Sequence, residues 1–229
     1  MTQQKFAFDS FARPLFSSRI AMAWADPRAP MPRLIGDEVL AVEQVSAARA
    51  REFAAGRLAA RKAMDMLGHI GRPVLQGADL APVWPNGLIG SITHTDRDSL
   101  AAVTDDPDIL ALGLSLEPAT PLEPGLWPVC CTSDEMQWLA SLGPSQRGHF
   151  AKLILSVKKA VSKAAYASRT RLPELQQITL SIDLVTGRFD ARIAPGFVGT
   201  GQRSMQSVGG QFAILSDCFI ATVEVSRMG

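Results

Sequence analysis

Three groups of side chains in this chain have the types and spacing to hold an anion or move a proton. The first is Ser91-Ile-Thr-His94. A hydroxyl (Thr93) beside an imidazole (His94) can donate to an oxyanion near neutral pH. The second is Ser115-Leu-Glu117, whose polar residues are two apart and so face one side of a strand. The Glu117 carboxylate can take a proton, ligate a hard cation or pair with an amine. The third is a run of cations on two helical stretches: Arg49, Arg51, Arg57 and Arg61 upstream, and Lys158, Lys159 and Lys163 downstream. Arg57 and Arg61, like Lys159 and Lys163, are four apart and share a helix face. A guanidinium fork matches phosphate geometry, so phosphate clamping is one reading of the arginines. A solvated basic face is the other, for the arginines and for Lys158 and Lys159 alike. By the same standard, Thr93, His94 and Glu117 also fit a plain core hairpin with one hydrogen-bonded histidine.

The elements that must position these groups are legible in outline. Apolar residues recur at helical spacing from Glu38 to Leu67, with Asp37 as a cap and Gly68 as a stop. Gly56 inside that helix marks a break or a close approach. Ile20 to Trp24 reads as a first strand. Leu100 to Val103 and Ile109 to Leu116 read as strands on either side of the turn-rich Thr104–Asp108, a hairpin-like connection. Thr132-Ser-Asp-Glu is a helix start, and Gly143-Pro144 reads as the end of that helix. A second long helix is predicted from His149 to about Ser168, with Phe150, Leu153, Ile154, Val157, Val161 and Ala164 on its apolar side. His149 is read as a helix-start surface residue. From Gln177 onward the pattern is β: Gln177–Asp183, a Thr186-Gly187 turn, Arg188–Ile193, a Gly-rich loop through Gly210, then Phe212–Leu215 and Cys218–Val225. The fold class is α+β, with a small antiparallel sheet and a long helix in each of two lobes, 1–110 and 111–229.

Composition excludes several classes. With 229 residues and 47% apolar content the chain can build one large core or two small ones. A net charge of +1 gives no electrostatic case for nucleic acid. No apolar run reaches the ~18 residues of a membrane span, and the N-terminus lacks the apolar core of a secretory signal. Three cysteines, Cys130, Cys131 and Cys218, have neither zinc nor disulfide spacing and read as reduced thiols. A cytoplasmic monomer is the expectation.

The motifs Arg51–Arg61, Trp84-Pro-Asn-Gly, Gly90-Ser-Ile-Thr-His94, Gly113-Leu-Ser-Leu-Glu117 and Phe150–Ala164 occur in an order that resembles the 4′-phosphopantetheinyl transferases, most closely the siderophore-synthase branch. The resemblance covers roughly Arg49 to Ala164. It implies two lobes in a pseudo-twofold arrangement with a coenzyme A cleft between them, lined by Trp84. It also implies transfer of phosphopantetheine to a serine of an acyl or peptidyl carrier protein. It places Arg51, Arg57 and Arg61, with Thr93, His94 and Lys158, at the cofactor, and Glu117, Lys159 and Lys163 at the reacting centre. One departure matters. The family carries Asp-x-Glu on the strand and Lys-Glu-Ala on the helix, three carboxylates that hold magnesium. This chain has Ser115-Leu-Glu117 and Lys158-Lys159-Ala160, so only Glu117 remains of the metal set. Two outcomes follow: a transferase in which the Lys159 ammonium replaces the ion, or a coenzyme A- or carrier-protein-binding relative that has lost or repurposed the transfer.

Overall fold

The computed structural model describes residues 14–167, 173–194 and 207–227. The chain divides into two compact units, Met1–Ile109 and Leu110–Gly229. Both are α+β with antiparallel sheets.

In the first unit, β1 (Ala21–Ala25) leads through a 3₁₀ turn, Gly36–Val42, to α1 (Ala47–Met66). The expected helix from Glu38 is therefore two pieces. Ser46 starts the second piece, its side chain accepting from Arg49 N, which satisfies an amide the first helical turn leaves unpaired. α1 buries a face of small residues, Ala55, Ala59, Ala60 and Ala63, with Met64. Gly56 is a close approach and no break: a Cβ there would sit 3.1 Å from Ile92 Cγ2. Two short strands follow, β2 (Leu75–Gln76) and β3 (Pro82–Val83), then β4 (Ile89–His94) and β5 (Ser99–Thr104). The three-stranded sheet has the order β1-β5-β4, with Ala23 opposite Ala101 and His94 opposite Ser99.

This corrects the predicted hairpin. The partner of Leu100–Val103 is β4, and the tight turn between them is closed by Thr95, whose N donates to Asp98 O and whose Oγ1 accepts from Asp98 N. Ile109–Leu116 lies in the other sheet.

In the second unit, β6 (Ile109–Pro118) is followed by α2 (Trp127–Cys130), α3 (Ser133–Ser141) and α4 (Pro144–Ala167). Thr132 caps α3 with a full capping box closed by Glu135. α4 begins five residues before the predicted His149. Pro144 opens it: proline's fixed φ suits a first helical turn, where its missing N–H costs nothing. His149 is exposed one turn in. The strands β7 (Ile178–Asp183), β8 (Arg188–Ile193), β9 (Ser207–Ile214) and β10 (Cys218–Ser226) complete a five-stranded sheet in the order β6-β10-β9-β8-β7. β9 takes in Gly209 and Gly210, which the sequence pattern had placed in the loop; residues 195–206 and Ser168 lie outside the described set. The core joins Leu153, Val157, Val161 and Ala164 of α4 to Phe189, Phe212, Phe219 and Val223 of the sheet. Helix and sheet approach closely at Gly113, where a Cβ would lie 2.0 Å from Ala160 O. No helix among the described residues is long and apolar enough to cross a membrane.

Candidate active site

In the first unit, one cluster brings the end of β4 to the first turns of α1. Arg49 NH1 lies 2.6 Å from His94 Nε2 and 3.3 Å from Glu52 Oε2, and His94 Nδ1 lies 3.6 Å from the same carboxylate oxygen. A guanidinium only donates, so Nε2 accepts and the imidazole proton sits on Nδ1, facing Glu52. The cluster is part-exposed, and its one guanidinium and one carboxylate leave it near neutral. Glu52 escaped the sequence reading, although its i,i+3 spacing from Arg49 was the available signal. Thr93, the strand neighbour of His94, is buried and points to the opposite face of β4. Arg51 is exposed on α1, about 200° around the helix from Arg49. Trp84 is half-buried against the unit's core, and a Cβ at Gly90 would lie 2.6 Å from its ring.

Arg57 and Arg61 do not join that cluster, which corrects their assignment as phosphate clamps. Arg57 Nε donates to Val74 O at 2.6 Å and its NH2 to Leu75 O at 3.2 Å. Its guanidinium sits 4.1 Å from the Phe53 ring centroid, a cation–π contact. Burial pulls the Arg57 pKa down to about 10, against the opposing pull of Glu38. Arg61 NH1 donates to both oxygens of Glu38, at 2.9 and 2.7 Å, and NH2 to Arg33 O at 3.0 Å. Glu38 has no exposed surface and also accepts from Ile35 N and Val74 N. Two arginines and one glutamate thus pin the segments around residues 33–38 and 74–75 onto α1. The reason was present in the sequence: Phe53, Arg57, Ala60 and Met64 follow helical spacing, so Arg57 falls inside the apolar stripe.

In the second unit, a row on α4 faces the end of β6. Ser156, Lys159 and Lys163 are spaced three and four apart and share a face. Ser156 Oγ donates to Ser115 Oγ at 3.3 Å, Lys159 Nζ to Glu117 Oε1 at 2.6 Å, and Lys163 Nζ to Leu114 O at 2.9 Å. Ser115 is buried, with 1% of its surface exposed. The Lys159 side chain keeps 45% of its surface in solvent and the Glu117 side chain 13%. Lys163 has its pKa pushed down to about 8, chiefly by burial, then by the neighbouring Lys159 charge, with Glu117 pulling the other way.

Lys158 does not belong to this row, a second correction. It has no exposed side-chain surface, and its Nζ donates to Glu135 Oε2 at 2.6 Å and to Cys130 O at 2.8 Å. Glu135 is also held by Thr132 N and Leu180 N. The four-residue step from Ile154 to Lys158 and the three-residue step to Val161 put this lysine on the inner stripe of α4.

The donors at the end of β6 do not fit magnesium. A hard dication needs several convergent oxygens, carboxylates among them. Here one carboxylate, Glu117, is held by an ammonium, and the Ser115 hydroxyl is turned to Ser156 in the interior. No group of three or more His, Cys, Asp or Glu among the described residues could hold a metal ion. What the row offers is positive charge: two ammonium groups against one carboxylate.

Residues 37–104 match the family model described as the 4′-phosphopantetheinyl transferase N-terminal domain. Over 179 residues the chain is 35% identical to 4′-phosphopantetheinyl transferase Svp of Streptomyces mobaraensis, covering 77% of this chain and 73% of that protein. Over 182 residues it is 27% identical to 4′-phosphopantetheinyl transferase Npt of Nocardia iowensis, covering 76% and 81%. Over 159 residues it is 32% identical to enterobactin synthase component D of Salmonella typhimurium, covering 66% and 62%.

Proposed function

The chain belongs to the 4′-phosphopantetheinyl transferase family, and we propose that it moves 4′-phosphopantetheine from coenzyme A to a serine of an acyl or peptidyl carrier protein. The observation that carries the reading is the α4 row, in which Lys159 and Lys163 stand one turn apart at the end of β6 beside Glu117. In the transfer, the serine oxygen forms a bond to the diphosphate phosphorus that bears the pantetheine arm. The bond from that phosphorus to the bridging oxygen breaks, and the nucleotide leaves as a phosphate anion. Lys159 and Lys163 are suited to hold the charge that collects on those oxygens. Lys159 bonds the diphosphate with its remaining donors while holding Glu117 Oε1, and the Glu117 carboxylate accepts the serine proton. In the first unit, the part-exposed Arg49 and the exposed Arg51 are the donors suited to phosphate oxygens; His94 is engaged by Arg49 and Glu52, and Thr93 lies buried on the opposite face of β4.

The decisive experiment is incubation of the protein with coenzyme A and a purified carrier protein, followed by intact mass. The expected result is one added phosphopantetheine group, and none on a carrier whose acceptor serine is alanine. A second reading is favoured by Ser115 and Lys159 standing where the family has carboxylates: a member that binds coenzyme A or the carrier and no longer transfers. Calorimetry separates the two, since that reading requires coenzyme A binding without any carrier modification. Absence of coenzyme A binding at millimolar ligand overturns the transfer reading and leaves only a carrier-protein binder.

A further inference from the structure

The end of β6 and the facing row of α4 make a small electrostatic device whose parts all lie in the second unit. We propose that it is a metal-independent diphosphate site in which the Lys159 ammonium occupies the role of a divalent cation. This deepens the reading above and takes from it only that the ligand carries a diphosphate.

Four observations carry the inference. Lys159 Nζ is fixed 2.6 Å from Glu117 Oε1, so its charge has a set position before any ligand arrives. Almost half of the Lys159 side chain is nevertheless exposed, and an ammonium has three donors, so it can bond an incoming oxyanion while keeping Glu117. The backbone behind it is held as well: the neighbouring Ala160 packs so tightly on Gly113 that no Cβ fits there, which locks the height of Lys159 over the strand. Finally, Lys163 sits one turn along the same face, anchored on Leu114 O, so a second positive centre lies beside the first. Glu117, Lys159 and Lys163 together carry one net positive charge without any ion. A dication at Glu117 would have to break the ion pair and then sit beside the displaced ammonium. Ser115 cannot offset that, because a buried hydroxyl bonded to Ser156 supplies no charge. The arrangement therefore selects a polyanion and works against a divalent cation.

The test measures binding of inorganic pyrophosphate and of coenzyme A by calorimetry, in magnesium and in excess chelator. The two Kd values for each ligand should agree within about twofold, whereas a metal-bridged site should lose tenfold or more on chelation. Lys159→Gln should weaken pyrophosphate about tenfold with an unchanged urea midpoint, and Lys159→Arg should hold it within a few-fold. The double variant Ser115→Asp, Lys159→Glu rebuilds the set of three carboxylates and should bind pyrophosphate only with magnesium present. Wild-type binding that disappears in chelator overturns the proposal, as does a Lys159→Gln protein that is folded and binds like the wild type. Should the double variant fail to fold, the chelation series and the Lys159 pair still decide. The outcomes also separate from the transfer reading. Efficient transfer that requires magnesium leaves the function standing and removes this site. Chelator-insensitive pyrophosphate binding without carrier modification does the reverse.

Discussion

Lys158 and Lys159 are consecutive on α4, and their ammonium groups end in opposite environments. Lys158 Nζ closes on Glu135 Oε2 at 2.6 Å with no exposed surface, and Lys159 Nζ closes on Glu117 Oε1 at 2.6 Å with 45% of the side chain in solvent. Equal distances here mean unequal energetics. A pair in the interior cannot lose one member without stranding a buried charge, while a pair at the surface is compensated by water.

Lys158→Met should therefore destabilise the protein by about 3–5 kcal/mol, the range for breaking a buried pair on one side. Lys158→Met combined with Glu135→Leu should cost less than Lys158→Met alone. Lys159→Gln should cost under about 1 kcal/mol. Urea unfolding reads all three. Folded Lys158→Met should bind pyrophosphate like the wild type, and a specific loss of binding would return Lys158 to the ligand.

Arg57→Ala removes the donors of Val74 O and Leu75 O from the interior, and should cost about 1.5–3 kcal/mol, the value of a hydrogen bond to a charged group. Arg51→Ala, at an exposed position, should stay within about 0.5 kcal/mol. If Arg51 meets the nucleoside phosphate, its loss should weaken coenzyme A more than dephospho-coenzyme A. Unfolding midpoints and the two Kd values check the pair of substitutions.

Lys163 predicts a pH dependence. Its folded pKa of about 8 lies below the ordinary 10.5, so the fold disfavours the charged form. Between about pH 8 and 10.5 the unfolded chain binds the proton more readily than the folded one, and stability rises with pH across that window. The penalty is complete below the folded value. It is on the order of 3 kcal/mol from the size of the shift. Lys163→Met should flatten the rise, measured as the difference in urea midpoint between wild type and variant at pH 7.5 and 10. Parallel curves would refute the assignment.

Gly113→Ala drives a methyl group into Ala160 O, 2.0 Å from where its Cβ would stand. Overpacking of this kind costs about 1–3 kcal/mol or more. Because Ala160 follows Lys159, the strain should also show as weaker pyrophosphate binding at temperatures where the variant is folded. Calorimetry on the variant beside a Gly209→Ala control, whose added Cβ comes no closer than 3.4 Å to a neighbour, separates this from general damage.

Local chemistry was legible where it is written in adjacent residues. The Thr132–Glu135 capping box, the stop at Gly68 and the turn at Gly187 are each set by a few side chains and by positive φ at the glycines. Pairing was not legible. Gly90 and Ser91 hide a strand behind poor strand formers, and the short Thr104–Asp108 link looked like a hairpin although β5 and β6 go to different sheets. Nothing local distinguishes a turn within a sheet from a turn between sheets. The site was half legible for a related reason. Charge marks a residue as interesting, and only its register against the apolar stripe tells whether it faces water. Glu117, Lys159 and Lys163 lie at that margin, while Arg57 and Lys158 lie inside the stripe.

The turn at Asp105–Asp108 has a further consequence for how such a protein can be rebuilt. The chain leaves one compact unit for the other at a single place, just after this turn, and the family-model match ends at residue 104. Each side keeps its own sheet, long helix and apolar core. Asp106-Pro107 is thus a natural crossover point for recombination with relatives: a chimaera joined there exchanges a whole half without cutting a strand. The α4 lysine row and the Ser115–Glu117 strand would travel together in the second fragment. Magnesium tolerance should therefore be inherited as one block from whichever parent supplies that fragment.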